Sequence, residues 1–146
     1  MPEGTITSAA MRRIRIDFEG ERDGSIRSPV LFCIIRGMKA TIVALQGELG
    51  SGKTYFAQQF GKVMGIEENI PSPTFVIMKM YDIDWRGFKK LVHIDAYRLE
   101  KEEELLNLGW KKIAEDPENI ILIEWPENIP GLIPKEAKRI HFKHNE

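Results

Sequence analysis

The stretch TIVALQGELGSGKT, residues Thr41 to Thr54, decides the fold. It begins with a β-branched apolar run that ends at a glycine, a pattern typical of a strand buried on both faces of a parallel sheet. The run leads into GELGSGKT, which matches the Walker A pattern G-x-x-x-x-G-K-[ST]. Apolar side chains then recur at helical spacing up to Met64, and Gly65 follows in the position of a C-terminal cap. The stretch therefore predicts a strand, a glycine loop and a helix.

The glycine loop has the chemistry of a phosphate-binding site. Glycines let successive backbone N–H groups point into one concavity, and the following helix adds the positive end of its dipole. Lys53 can reach the β- and γ-phosphates of a nucleotide, and the Thr54 hydroxyl is placed to ligate Mg²⁺. The alternative is a plain glycine turn. The predicted nucleotide-binding residues of the loop are Gly47, Glu48, Leu49, Gly50, Ser51, Gly52, Lys53 and Thr54.

Two predicted strands end in a carboxylate. Asp95 closes the run LVHID, and Glu124 closes the run ILIE. Because α/β sheets bind ligands at the carboxyl ends of their strands, both side chains are candidates for holding Mg²⁺ or orienting water. The alternative for each is a solvated carboxylate at a strand end. His93 shares a face with Asp95 by strand alternation, but a single histidine on a strand is more often packed or hydrogen-bonded than catalytic.

The remaining pattern is that of an α/β domain with some antiparallel pairing. Further strands are predicted at 74–81, 91–95, 119–125 and 138–142, with a hairpin connection between Tyr81 and Leu91. A short acidic helix is predicted after Arg98. Its glutamates, from Glu100 to Glu104, are expected to form a solvated face, and a partner-docking surface is the alternative. The expected apolar side of that helix is Leu105, Leu106 and Leu108.

The first 30 residues are set apart as an N-terminal extension, and residues 31–146 as the main domain. Ile14, Ile16 and Phe18 alternate, and RDGS follows as a turn signal, so this part is either a hairpin, a peripheral strand or a poorly ordered tail.

Composition narrows the functional classes. The chain has 146 residues, 42% hydrophobic and 29% charged, as expected of one globular, soluble domain. The net charge of −1 offers no basic excess, so contact with nucleic acid is expected through a partner. Cys33 is the only cysteine, which excludes an intrachain disulfide and favours the cytoplasm. The longest apolar run, Val30 to Ile35, is too short to cross a membrane.

Five blocks of this sequence occur in the order and spacing seen in the TsaE (YjeE) family, which it therefore resembles. They are GELGSGKT, SPTF (72–75), HIDAYRL (93–99), LLNLGW (105–110) and LIEWPE (122–127). The resemblance covers roughly residues 31–142. Members of the family are small P-loop ATPases needed to make threonylcarbamoyladenosine in tRNA. The resemblance implies an α/β, P-loop NTPase-like three-layer fold with a central mixed, mostly parallel sheet.

The resemblance also implies roles for single residues. Asp95 would be a Mg²⁺ ligand, and Glu124 would position or activate the attacking water besides lying at the metal. Thr74 would belong to a switch-like segment near the γ-phosphate, and Trp125 would lie near the nucleotide. The implied catalytic residues are Lys53, Thr74 and Glu124. The implied metal ligands are Thr54, Asp95 and Glu124.

Partners follow from the same resemblance. Proteins similar to this one bind ATP and Mg²⁺ and act with TsaD and TsaB, the transferase complex that modifies the adenosine next to the anticodon, at position 37. ATP hydrolysis would reset that complex, and tRNA would be contacted indirectly. One departure is visible: the family's usual T-x-x-L-G-like stretch, which helps to enclose the base, is not found among residues 1–30.

Three other readings of the P-loop are open to test. A small P-loop kinase would need several arginines at the phosphate, and only Arg86, Arg98 and Arg139 follow Thr54. A GTP switch would carry an N-K-x-D motif, which is absent. A nucleotide-dependent scaffold would bind ATP without useful hydrolysis.

Overall fold

A twisted sheet forms the centre of the computed structural model, which describes residues 14–18, 34–48, 50–68, 70 and 76–144. Within these ranges the sheet has six strands: β1 (Ile14–Phe18), β2 (Thr41–Gly47), β3 (Met78–Trp85), β4 (Phe88–Asp95), β5 (Asn119–Glu124) and β6 (Lys138–His144). The helices there are α1 (Lys53–Val63), α2 (Glu102–Leu106) and α3 (Trp110–Glu115). Two short 3₁₀ turns, Pro126–Asn128 and Pro130–Leu132, connect β5 to β6.

The strand order is β1-β6-β2-β5-β4-β3. The four inner strands run parallel, while β1 and β3 lie antiparallel at the two edges. Parallel strands are covered on both faces and read as continuous apolar runs, and every residue of β5 is indeed buried. The predicted mixed, mostly parallel sheet is confirmed.

Helices cover both faces of the sheet. On one face, Phe56 and Phe60 of α1 pack against β2 residues such as Leu45. On the other face, Leu105 of α2 and Trp110 of α3 pack with inner-strand residues. Side chains of each strand alternate between these two cores because successive residues point to opposite faces. The result is the three-layer arrangement that was predicted.

The predicted hairpin between β3 and β4 is present, but its connection is much shorter than expected. The strands continue to Trp85 and from Phe88, leaving a two-residue turn in which Arg86 and Gly87 have φ of 50° and 85°. Such turns match the twist of the flanking strands. Sequence reasoning missed the strand ends because the exposed edge carries aspartates and lysines, paired as Asp82–Lys90 and Asp84–Lys89 at 2.9 and 3.0 Å.

The predicted acidic helix is split in two. Gly109 adopts a left-handed conformation with φ of 90°, and α3 begins directly after it, so the helical axis is interrupted. Of the expected apolar side, Leu105 is buried, while Leu106 and Leu108 are each 43% exposed. The expectation that these three leucines form the apolar side of one helix was therefore wrong, because α2 ends at Leu106 and Leu108 lies in the turn before α3.

The N-terminal strand joins the far edge of the sheet. β1 pairs antiparallel with β6, from Ile14 opposite His144 to Phe18 opposite Ile140. Within the described residues, this part of the N-terminal segment is therefore an edge strand of the sheet. A hairpin partner directly after it would fall in residues 19–33, which lie outside the described residues. Among the described helices, none has the length and apolar character needed to cross a bilayer.

Candidate nucleotide-binding site

The loop between β2 and α1 has the backbone conformation of a concave turn. Gly50 and Gly52 have φ of 74° and 103°, values that side chains rarely allow. The Ser51 N–H donates to the Glu48 carbonyl at 3.1 Å, which closes the turn. Helix α1 begins at Lys53, so its unpaired N-terminal N–H groups face the loop. Leu49, which the sequence also assigns to this loop, lies outside the described residues.

Gly47 is required by close packing at the end of β2. A Cβ at this position would lie 2.7 Å from the carbonyl oxygen of Phe142 on β6 and 2.8 Å from Ser51 Oγ. Ser51 itself is 2% exposed, and its hydroxyl has no hydrogen-bond partner within the described part of the chain. A phosphate oxygen would satisfy such an unpaired buried hydroxyl next to a glycine turn. The loop therefore fits a phosphate group.

Lys53 points back across the loop. Its Nζ donates to the carbonyl of Gly47 and lies 3.4 Å from the centroid of the Trp125 ring. The residue is 5% exposed, and this burial lowers the pKa of Lys53 from its ordinary 10.5. Three neighbouring carboxylates act in the opposite direction; they are Glu124, Glu127 and Asp95. The ammonium group thus sits in an acidic surrounding, held by a carbonyl and an indole ring.

The two predicted strand-end carboxylates are neighbours. Asp95 on β4 lies directly opposite Glu124 on β5, and Leu45 of β2 lies on the other side of Glu124. Both carboxylates are only 3% exposed. Glu124 Oε1 accepts a hydrogen bond from Thr54 Oγ1 at 3.2 Å. The fold thereby brings Thr54, Glu124 and Asp95 to the same edge of the sheet, beside the loop.

The chain turns sharply after each of these strands. After β4, the Tyr97 N–H donates to Asp95 Oδ1 at 2.9 Å. After β5, Trp125 takes a left-handed conformation with φ of 60°, which directs its ring towards Lys53 and places it 5.1 Å from the Tyr97 ring. Asn128 ties the two turns together by donating to the Ala96 carbonyl at 2.9 Å.

The donor set at this edge suits Mg²⁺. The ion takes one or two carboxylates, keeps several waters and is usually shared with substrate phosphates. Thr54, Asp95 and Glu124 offer a hydroxyl and two carboxylates, all hard oxygen donors. Across the residues that the structure describes, no group of three or more His, Cys, Asp and Glu side chains forms a metal cage. The hydroxyl and the two carboxylates fit an ion that is shared with a nucleotide.

The structure brings five of the predicted site residues together beside the loop: Lys53, Thr54, Asp95, Glu124 and Trp125. Thr74, predicted to be catalytic, lies outside the described residues, so its place remains a prediction. Three contributors were not singled out from the sequence: Tyr97, Glu127 and Asn128. The first lies in HIDAYRL and the second in LIEWPE, so the motif blocks contained the signal. His93 was predicted to be packed or hydrogen-bonded, and it is both, with Nε2 at 2.7 Å from Glu124 Oε2.

Several known proteins are similar to this chain. A family model described as "Threonylcarbamoyl adenosine biosynthesis protein TsaE" matches residues 30–146. Three similar proteins carry the name "tRNA threonylcarbamoyladenosine biosynthesis protein TsaE". The Nostoc sp. protein is 41% identical over 62% of this chain and 55% of its own length. The Bacillus subtilis protein is 36% identical over 70% and 61%. The Treponema pallidum protein is 33% identical over 72% and 74%.

A solved structure extends the likeness to three dimensions. The crystal structure of YdiB from B. subtilis matches with a TM-score of 0.50 and 28% identity, covering 72% of this chain and 60% of that one. The chain spans between 55% and 61% of the length of the Nostoc and Bacillus relatives.

Proposed function

Since the chain belongs to the TsaE family of threonylcarbamoyl adenosine biosynthesis proteins, we propose that it serves tRNA threonylcarbamoyladenosine formation as a Mg²⁺-dependent ATPase. The observation that carries the proposal is the meeting of Lys53, Thr54 and Glu124 at a glycine loop with an unsatisfied Ser51 hydroxyl. A phosphate-binding loop, a hydroxyl and a buried carboxylate are the parts that P-loop hydrolysis needs.

Phosphate binding is assigned to the loop and Lys53. The backbone N–H groups from Gly50 to Thr54, together with the Ser51 hydroxyl, would bind phosphate oxygens. Lys53 would leave the Gly47 carbonyl and the Trp125 ring for the β- and γ-phosphates, where its charge is better matched. Trp125 would remain beside the nucleotide.

We assign hydrolysis to Thr54 and to the two carboxylates at the carboxyl ends of β4 and β5. Thr54, Asp95 and Glu124 would hold Mg²⁺, which when bound neutralises charge on the β- and γ-phosphates. Glu124 would orient the attacking water and accept its proton, since it is buried beside the loop and has one oxygen directed at Thr54. Catalysis in this class is mainly positioning and electrostatic stabilisation, so these few groups suffice.

The wider role belongs to an assembly. We place the chain with TsaD- and TsaB-like proteins in the cytoplasm, where hydrolysis would reset the transferase for another turnover. The net charge of −1 supports tRNA contact through those partners rather than through this chain.

ATP hydrolysis by the purified chain with Mg²⁺, alone and with TsaD plus TsaB, tests the proposal. We expect turnover that rises with the partners. Glu124→Ala should abolish it while ATP still binds, and Lys53→Ala should abolish binding. Glu118→Ala is a matched control, because it removes an exposed carboxylate just before β5, at the opposite end of that strand from Glu124; its turnover should stay within about threefold of the wild type.

Other outcomes would redirect the assignment. ATP binding without hydrolysis under either condition would refute the ATPase and support a nucleotide-dependent scaffold. Phosphate transfer to a metabolite would support a kinase. Against the kinase, Arg86 lies in the β3–β4 turn, at the opposite end of β4 from Asp95, with its guanidinium 4.4 Å from the Trp85 ring.

A further inference from the structure

His93 is a buried polar side chain to which the proposed mechanism gives no role. It lies on β4, two residues before Asp95 and on the same face of the sheet, and none of its surface is exposed. Its Nε2 lies 2.7 Å from Glu124 Oε2, and its Nδ1 has no hydrogen-bond partner within the described part of the chain. Buried polar groups usually make all of their hydrogen bonds. Since His93 makes the bond to Glu124 and leaves Nδ1 without a partner among the described residues, the bond to Glu124 indicates a specific role.

The direction of the bond follows from the acceptor. An ionised Glu124 can only accept, so the proton lies on His93 Nε2, and the tautomer is set by this bond. In the neutral imidazole, Nδ1 then carries only a lone pair. Leaving an acceptor unsatisfied in the interior is more common in proteins than leaving an N–H unsatisfied.

The two oxygens of Glu124 are held by different parts of the fold. Thr54, at the start of α1, donates to Oε1 at 3.2 Å, whereas His93 donates to Oε2 at 2.7 Å from the interior of the sheet. Thr54 is partly exposed, and its bond is the longer one. The hydrogen bond from His93 is therefore the shorter and the more buried of the two.

Without the inner contact, Glu124 has a competing partner. The ammonium of Lys53 lies close enough for the charge of Glu124 to raise its pKa against the effect of burial. A glutamate side chain has several rotatable bonds, and an ion pair with Lys53 would turn both groups away from their proposed tasks. A fixed donor on Oε2 would oppose that rotation.

We propose that His93 is a positioning residue for Glu124, with Nε2–H holding Oε2 so that Oε1 faces Thr54 and the phosphate-binding loop. The inference rests on the proposed function, because it supplies the orientation that water activation by Glu124 requires. The described hydrogen bond of His93 goes to Glu124, so its removal should act on turnover rather than on ATP binding.

Kinetics of three variants test the positioning role. His93→Leu should lower kcat about 10- to 100-fold, the loss typical of a misplaced supporting group, and leave the Kd for ATP within about threefold. His93→Gln, which keeps an N–H donor of similar reach, should recover at least about fivefold of that loss. Leu91→Val, a core change on the same strand and face, is the control for loosened packing and should keep near wild-type kcat.

Two kinetic results would overturn the inference. One is a His93→Leu enzyme with kcat within about twofold of the wild type. The other is an equal loss in His93→Leu, His93→Gln and Leu91→Val, because that pattern would mean general damage to β4.

Nitrogen-15 NMR of the nucleotide-free chain gives a readout that needs no activity. We expect the Nε2–H tautomer for His93, with a slowly exchanging proton that exchanges faster in Glu124→Ala. An Nδ1–H tautomer, or a signal unaffected by Glu124→Ala, would contradict the inference. A wild-type chain that neither binds nor hydrolyses ATP would refute the proposed function, and the NMR result would still decide whether His93 holds Glu124.

Discussion

Lys53 combines burial with charge in a way that links stability to pH. Burial lowers the pKa of Lys53 below 10.5, the value for the unfolded chain. Between the lowered pKa and 10.5, the unfolded state binds more protons at this site than the folded state does, so the free energy of unfolding rises with pH over that interval. Below the interval, the cost of burying the charge is fully present. Above 10.5 it is absent.

A variant at this lysine makes the link measurable. The melting temperature of the wild type minus that of Lys53→Met should increase as the pH rises from about 7 to 10.5, because only the wild type loses the cost of the buried charge. Lys62→Met, at an exposed lysine on the same helix, is the control and should show no such trend. A melting-temperature difference for Lys53→Met that stays constant or falls with pH would contradict the lowered pKa of Lys53.

Both described hydrogen bonds of the Glu124 side chain join residues far apart in the chain. Thr54 and Glu124 are 70 residues apart, and His93 and Glu124 are 31 apart. The sequence singled out Thr54 and Glu124 because each ends a recognisable motif. The sequence did not single out His93 as a site residue. Alternation along β4 places this residue on the same face as Asp95, but it does not show that Glu124 of β5 lies within hydrogen-bond distance.

Among the elements, α1 shows how packing can reverse a helix propensity. Gly61 lies inside this helix, where alanine would normally stabilise by about 1 kcal/mol. A Cβ there, however, would lie 2.2 Å from Ile70 Cδ1, in a place where both residues are buried. The glycine lets the chain after the helix pack against it.

Gly61→Ala should therefore destabilise the protein by about 1–3 kcal/mol, the usual cost of overpacking a core. Urea unfolding measures the change. Lys62→Ala, its exposed neighbour, is the control and should stay within about 0.5 kcal/mol of the wild type. A Gly61→Ala protein more stable than the wild type would mean that Ile70 moves aside at little cost.

At the scale of the whole molecule, β1 forms one edge of the sheet, and β6 separates it from β2, the strand that leads into the glycine loop. β6 pairs with β1 on one side and with β2 on the other, and the carbonyl of Phe142 on β6 packs against Gly47. The N-terminal strand is thus one strand removed from the candidate site. Its contribution should be to protect the edge of β6 rather than to shape the loop.

Deletion of residues 1–18 tests that arrangement. The β6 amides that face β1 should exchange with solvent at least about tenfold faster, a factor that corresponds to 1.4 kcal/mol. Amides of β5, held between β2 and β4, serve as the internal control and should be unchanged. The proposed ATP affinity should stay within about threefold. Unaltered exchange in β6 would show that β1 adds no protection there.

The sequence by itself determined the glycine loop, the buried inner strands and α1. Each depends on residues within one element: glycines that allow the turn at Gly50 and Gly52, apolar runs in β2 and β5, and helical spacing after Lys53. It also located both strand-end carboxylates, because the carboxyl ends of parallel strands share one edge.

Only the tertiary structure decided which of these elements meet. The pairing of β1 with β6, the interruption of the acidic helix at Gly109 and the bond from His93 to Glu124 were outside the reach of local patterns. The physical reason is that local propensity acts over a few residues, whereas strand order brings together side chains whose separation in sequence carries no periodic signal. The site is built where those strands end.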